Sequence, residues 1–492
     1  MKYRINQLKL NIKKEVKKED LLLPKEIINN FKIVKRSIDA RDKNNIQFSY
    51  NIDIDVDEKK FNKLPIRLKK KFIISNSKNY IPPKLNKNIK IENDNRPIVV
   101  GFGPAGIFTS LILSNAGCKP IIYEKGEEIE NRTDILFGEG GAGTFSDGKL
   151  NTLNYDPSGI NEFVLNTLIE NGANSNILYD KLAHIGTDKL KPIIHNIKEK
   201  IISLGSEIHF NTEFSLNNFN YKQYKAPIIL CTGHSSINIY NELFSENFIL
   251  QRKPFAMGIR VEHKQELINK AQYGNISKED LNILGNASYK LSYKCRDGRS
   301  IYSFCMCPGG YVINTISNNN QICTNGMSYH SRSSDYANSA IVCNIKENDI
   351  KGVSPLDFLN LQIEIEKKAY KLGNGSIPKT TYKEYKEEKH NIVRQIYENI
   401  NLPFDLNQDI IEGIEYFKTK IYGFNNDDTV IYGPETRTSS VIKILRDEEY
   451  KAINKDNIYV AGEGAGYAGG IMSSAIDGVK VAQSIIQKIN GV

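Results

Sequence analysis

Apolar and polar residues alternate with a period of two over residues 3–12, 32–40 and 45–56, the last reading NIQFSYNIDIDV. That period puts one face of a strand in a core and the other in water, so three strands are expected there. Between the first two, EDLLLPKEIINNF (19–31) has helical spacing with Pro24 in its first turn. EKKFNKLPIRLKKKF (58–72) predicts a second helix, interrupted near Pro65, and FII opens a last strand. The order β-α-β-β-α-β describes a small ferredoxin-like α+β unit over residues 1–90. IPPKLNKNIKIENDNRP (81–97) is polar, flanked by proline and without period, and reads as a linker.

At residue 98 the pattern changes. A short apolar strand, IVV, runs into GFGPAG, then a helix ending at Gly117, then a strand IIY closed by Glu124. Strand, glycine turn, helix, strand and terminal acid together form the dinucleotide-binding β-α-β unit. Gly101 permits the tight turn, Gly103 lets backbone approach a pyrophosphate, and Gly106 lets helix and strand pack closely. Pro104 and Ala105 open the helix, whose first-turn amides and dipole face the phosphate charge. Glu124 lies 23 residues after Gly101, where a carboxylate accepts hydrogen bonds from both ribose hydroxyls and disfavours a 2′-phosphate. Two more runs satisfy G-x-G-x-x-G: Gly138, Gly140 and Gly143 without a strand before them, and Gly464, Gly466 and Gly469 with none after them. Neither is a second nucleotide unit of this kind.

Length, composition and charge refine the picture. A chain of 492 residues exceeds one hydrophobic core, and two or three domains are expected. Its 40% hydrophobic and 25% charged residues are ordinary for a globular enzyme. No apolar run approaches the ~18–20 residues that span a bilayer, and the N-terminus has no secretory pattern. Seven scattered cysteines do not make a disulfide framework, so a cytoplasmic, reducing location without a membrane is expected. Residues 1–95 hold 24 Lys and Arg against 12 Asp and Glu, a surplus of 12, which leaves −3 on the other 397 residues of a chain with net charge +9. The basic segment is either a solvated lysine-rich unit or a surface for nucleic acid or an acidic partner, the first being favoured.

FGEGGAGTFSDGKLNT (137–152), the KPFA…EH segment (253–263), YSFCMCPGG (302–310), NGMSY (325–329), ETRTSS (435–440) and AGEGAGYAGGI (461–471) resemble a family of largely uncharacterised bacterial and plastid FAD-dependent dehydrogenases. More broadly, the chain resembles flavoproteins of the glutathione-reductase-like class. The resemblance spans essentially the whole chain and implies FAD as cofactor. It implies an α/β fold: a Rossmann-type FAD-binding domain in two parts, 96–235 and 436–492, around a mixed α+β cap or substrate domain, 236–435. IILCTGHSS (228–236) is similar to the hydrophobic strand and turn of such proteins, with Thr232 and Gly233 at the cofactor. Gly462 and Glu463 match the C-terminal segment, Glu463 standing where Asp is more usual, and the helix opening at Gly470, Ile471 and Met472 points at the flavin. The same likeness lays Gly140, Gly141, Gly143 and Thr144 along the flavin's reactive edge, and makes Lys125 and Arg132 candidates for cofactor contact.

Catalytic residues are not legible. The candidates are Cys305 and Cys307, which share one face of a regular strand about 6.6–7 Å apart, with Lys149 as a donor and Arg437 as an anion-binding group. A flavin-facing thiol pair and ordinary small packed residues are both open for CMCP. His234 and His263 stand in flavin- or cap-proximal motifs as acid/base or structural groups. No metal-ligand spacing is present. The function expected is hydride transfer between a small organic substrate and FAD, the electron donor or acceptor being unidentified. The alternatives are a flavoprotein acting on RNA or an acidic partner, and a non-catalytic flavin-binding scaffold.

Overall fold

A computed structural model of the chain describes residues 2–75, 79–92, 95–151, 156–317 and 320–491. Residues 93–94 of the linker and Thr152 of the glycine motif lie outside them. The N-terminal unit is a four-stranded antiparallel sheet in the order Ile28–Asp39, Gln47–Val56, Lys2–Asn11, Phe72–Ile74. That is the strand order of a split β-α-β pair, but its first helix is absent. Residues 18–20 and 25–27 make only 3-10 turns, and the strand begins already at Ile28. The apolar residues of LLLP plug the core without helical geometry. Leu21 and Leu23 are buried, whereas Leu22 between them takes φ +61° and faces solvent.

Five short parallel strands carry the nucleotide unit, in the order Ile458–Val460, Ile228–Leu230, Ile98–Val100, Ile121–Tyr123, Glu207–His209. The apolar runs Ile98–Val100, Ile228–Leu230 and Ile458–Val460 follow from burial on both faces. Ile98, Val100, Ile228 and Leu230 join the core shared with the antiparallel sheet. Val99, Ile122 and Ile229 join a second core, formed with the helices Pro104–Ala116 and Ile471–Ile489. Pro104 starts the first of these helices and Gly117, at φ +94°, ends it.

The middle of the chain builds a six-stranded antiparallel sheet, in the order Ser292–Lys294, Ser300–Cys307, Tyr336–Ile345, Phe255–Lys264, Val430–Glu435, Lys379–Thr381. A separate hairpin, Tyr311–Ser317 with Gln321–Met327, stands beside it. The ribbon Leu250–Arg252 with Ile442–Ile444 marks where the chain leaves and re-enters the parallel-sheet region. Before the strand Val430–Glu435 the chain forms two short helices, Tyr382–Glu387 and Ile392–Tyr397.

The basic N-terminal unit docks on the rest of the chain through charge. Arg36 donates to Asp180 Oδ1 and Oδ2 at 2.6 and 2.9 Å, and its guanidinium lies over the rings of Phe48 and Tyr179. Backbone bonds from Arg36 N to Tyr179 O and from Lys181 N to Arg36 O extend the sheet edge into the neighbouring domain. Lys32 pairs with Glu162, and Lys13 with Glu279 and Asp280.

Candidate functional site

Four backbone turns, far apart in sequence, meet beyond the carboxyl ends of the parallel strands, where open α/β sheets bind ligands. The fingerprint turn comes first. Gly101 has φ +96°, and a Cβ there would stand 2.8 Å from the Cys231 carbonyl oxygen, so only glycine lets this turn approach the 231–233 turn. The run at 138–143 is the second. Gly141 has φ +67°, and a Cβ on it would come 3.0 Å from Gly103 Cα, while one on Gly143 would meet Ile471 Cγ1 at 3.1 Å. This run therefore reaches from the fingerprint turn to the start of the C-terminal helix. The C-terminal turn closes the ring: a Cβ on Gly462 would stand 2.7 Å from Ala105 Cβ, and Gly464 packs on the carbonyls of Thr232 and Gly233.

Side chains fix these turns from beneath. The Glu124 carboxylate, 5% exposed, accepts from Phe102 N at 2.7 Å and from Gly126 N and Gly138 N at 2.9 Å. Three backbone amides thus use a carboxylate that the spacing had assigned to ribose hydroxyls, leaving about one of its ~four lone-pair positions free. Arg132 is buried, and its guanidinium donates to the carbonyls of Asp134, Ile135, Glu139 and Gly141 at 2.7–2.8 Å. It ties the loop together instead of reaching a phosphate. Burial lowers it to about 10, against Glu124, Asp134 and Glu139. The Thr144 hydroxyl turns back to Glu139 O. Lys125 is held by Glu213 at 3.0 Å and lies over Phe137.

At the other end Gly462 N donates to Asp477 Oδ2 at 2.8 Å, and Asp477 is paired with Arg446. Sequence reasoning passed over this aspartate, although it lies two turns into the helix that the glycine motif opens. Glu463 is partly exposed, with Oε1 3.3 Å from His234 Nδ1. Met472 is buried beneath the helix start. His263 is a core residue: Nε2 bonds Phe424 O at 2.7 Å and burial lowers the ring to about 4.

The fit to FAD rests on the cleft surface itself. Gly103 and Gly470 cap helices of 13 and 19 residues, and no side chain caps either N-terminus. Cβ atoms built on Gly233, Gly469 and Gly470 would meet nothing within 4 Å. The accessible surface is thus largely glycine backbone facing two positive helix ends, which suits a pyrophosphate and a flavin.

Beyond the 138–143 run, the chain enters the antiparallel sheet's territory. Asp147, 1% exposed, lies between Lys149 at 2.9 Å, Arg332 at 2.6 and 2.9 Å, and the Ser328 hydroxyl. Burial would raise its carboxyl, but Lys149 and Arg332 outweigh burial and hold it well below the usual range. Lys149 Nζ is 3.5 Å from Cys307 Sγ. The strand carrying the cysteines is not regular: its register shifts between Phe304 and Cys307, and Cys305 has φ +45°. The two thiols therefore do not sit at the even spacing of one strand face. Arg437 is largely ion-paired. Its Nε and Nη2 bond Glu366 at 2.9 and 2.7 Å and Nη2 also Gln321 at 3.3 Å, while the buried Nη1 has no partner among the described residues. Arg260 is fully buried and bidentate to Glu435.

These features define a mixed α/β protein with a parallel nucleotide-binding sheet. Residues 254–438 match the family described as FAD-dependent protein, C-terminal domain-like, and residues 2–55 match a domain of unknown function. The chain is 39% identical over 542 aligned positions to an uncharacterized protein of Clostridium beijerinckii (strain ATCC 51743 / NCIMB 8052), covering 100% of this chain and 99% of that one. It belongs to that protein's family, and its cofactor is FAD. Among solved structures it is similar to CtdE in complex with FAD, at 13% identity and TM-score 0.29 over 81% of this chain and 92% of that one. It is also similar to glycine oxidase from Bacillus cereus ATCC 14579, at 12% identity and TM-score 0.34 over 81% and 95%.

Proposed function

We propose that the protein is an FAD-dependent oxidoreductase that passes a hydride between a small organic substrate and the flavin. The observation that carries this is the convergence of the fingerprint turn, the 138–143 run, the 231–233 turn and the 462–472 segment on one glycine-lined cleft between two helix N-termini.

FAD supplies two-electron chemistry when bound. The turn Gly101–Gly106 would hold the pyrophosphate by backbone amides, and Glu463 would accept from a cofactor hydroxyl. Gly470, Ile471 and Met472 direct the positive end of the last helix into the cleft, which favours negative charge there. Glu124 and Arg132 serve by fixing the loop, so that few amides need to move when the cofactor enters. Just beyond the 138–143 run, Asp147 and Lys149 tie this loop to Ser328, Arg332 and the bulged strand of the antiparallel sheet.

An acidic macromolecular partner is not carried into this reading. Arg36, Lys32 and Lys13 of the basic unit meet acidic groups of the chain itself. The test is flavin content and turnover. Purified protein should retain FAD or take it up stoichiometrically, and the bound flavin, reduced without oxygen, should be reoxidised by an organic acceptor. Protein that neither carries nor takes up FAD would sink the reading.

A further inference from the structure

Seven cysteines are present, and Cys305 alone is not buried. It sits in a bulge: Phe304 pairs with Ala340 and Cys307 with Asn338, so residues 305 and 306 stand opposite Ser339 alone. A bulge re-aims side chains that a regular ladder would alternate, and φ +45° at a non-glycine residue is a conformation the fold has to hold in place. Here it brings two sulfurs into one cluster. Cys307 Sγ donates to Cys305 O at 3.4 Å. Lys149 Nζ stands 3.5 Å from Cys307 Sγ. Gly326 leaves the space: a Cβ there would come 2.9 Å from Cys307 Sγ.

The geometry points to Cys305 and Cys307 as a redox-active dithiol that exchanges with a small-molecule disulfide, Cys305 attacking and Cys307 resolving. Cys305 is the partly exposed residue of the pair and takes the attacking role, and Cys307, fully buried, is reached only from within the protein. In the first step the Cys305 thiolate bonds to one sulfur of the disulfide, whose S–S bond breaks, and the departing thiolate takes up a proton. In the second, Cys307 gives up its proton and attacks Cys305, releasing the other half as thiol. Two protein thiols are oxidised, one disulfide is reduced to two thiols, and no other oxidant is needed.

The charges around the pair support this division. The neighbouring Cys307 thiol, aided by Lys149 and Arg260 and opposed by burial and Glu435, holds Cys305 below the usual thiol range. The neighbouring Cys305 and burial, with Asp147 adding and Lys149 opposing, raise Cys307. Burial raises the other five thiols, four of them to about 12. They form an unreactive background for the measurement. Lys149 acts as a positioning residue, since it touches the buried sulfur and steadies the pair's negative charge.

The experiment treats the reduced full-length protein with 2-hydroxyethyl disulfide and reads intact and fragment masses. Wild type should become lighter by two hydrogens, localised to 305–307, and dithiothreitol should restore the original mass. Cys307→Ser should stop with one hydroxyethyl-thiol adduct on Cys305, and Cys305→Ser should remain unmodified. Alkylation of Cys305 should have its half-point below that of an ordinary thiol in wild type, moving up in Lys149→Gln. A wild type that does not react at either cysteine overturns the assignment, and so does one that halts at the same adduct as Cys307→Ser. The exchange draws on no flavin, so its failure leaves the flavin reading standing, and the reverse holds.

Discussion

Arg132 shows how a residue's chemistry changes once its neighbours are known. A lone arginine eight residues past the ribose acid reads as a phosphate ligand. In the fold its fork is closed on carbonyls of residues 134–141. Geometry, more than charge, is then what the position requires. Arg132→Lys keeps the charge and loses the fork, so it should resemble Arg132→Ala. Both variants should open residues 133–144 to limited proteolysis and weaken FAD binding roughly tenfold, the loss of about one or two net hydrogen bonds. A lysine variant that binds FAD like wild type would return the role to charge. Arg437 carries the same lesson. Its partner Glu366 lies 71 residues away on another element, and no local spacing announces the pair.

Elements were legible in proportion to how local their causes are. The β-α-β unit was readable because strand, turn, helix and acid lie within 27 residues of continuous chain (98–124). The strand Gln47–Val56 was readable from its period. The missing N-terminal helix was not, because LLLP satisfies burial by bends that propensity does not weigh. The bulge at Cys305 was hidden too, since register is a property of two strands and the sequence displays one. The helix Leu406–Phe417 was also missed, and it carries a testable charge. Burial first, then nearby Asp297, raises Asp409 in its opening turn to about 6 from an ordinary 3.8. A carboxyl raised in the folded state keeps its proton after the unfolded chain has lost its own. Stability therefore falls as pH rises through about 4 to 6, and the cost is complete above that. Asp409→Asn should stabilise the protein by about 1–2 kcal/mol at pH 8 and by little or nothing at pH 4. Equal shifts in thermal unfolding at both values would contradict this.

At the scale of the whole molecule, charge asymmetry becomes a docking device. The surplus of 12 in residues 1–95 and the −3 of the remainder meet at Arg36–Asp180, Lys32–Glu162 and Lys13 with its two acids. Arg36→Ala and Asp180→Ala should show a coupling of about 1 kcal/mol in a double-mutant cycle, the upper range for a partly exposed bidentate pair. Coupling near zero would mean that the backbone bridge at Arg36 holds the unit alone. The cofactor cleft has a different consequence, one that concerns synthesis. Its fingerprint turn emerges from the ribosome early, but the strand Ile458–Val460 and the helix from Ile471 come some 350 residues later. Until then Ile228–Leu230 is an uncovered apolar edge and the nucleotide pocket lacks one wall. A nascent chain must have extruded the helix from Ile471 before it can retain FAD, so loading of the cofactor reports that this distant segment has docked.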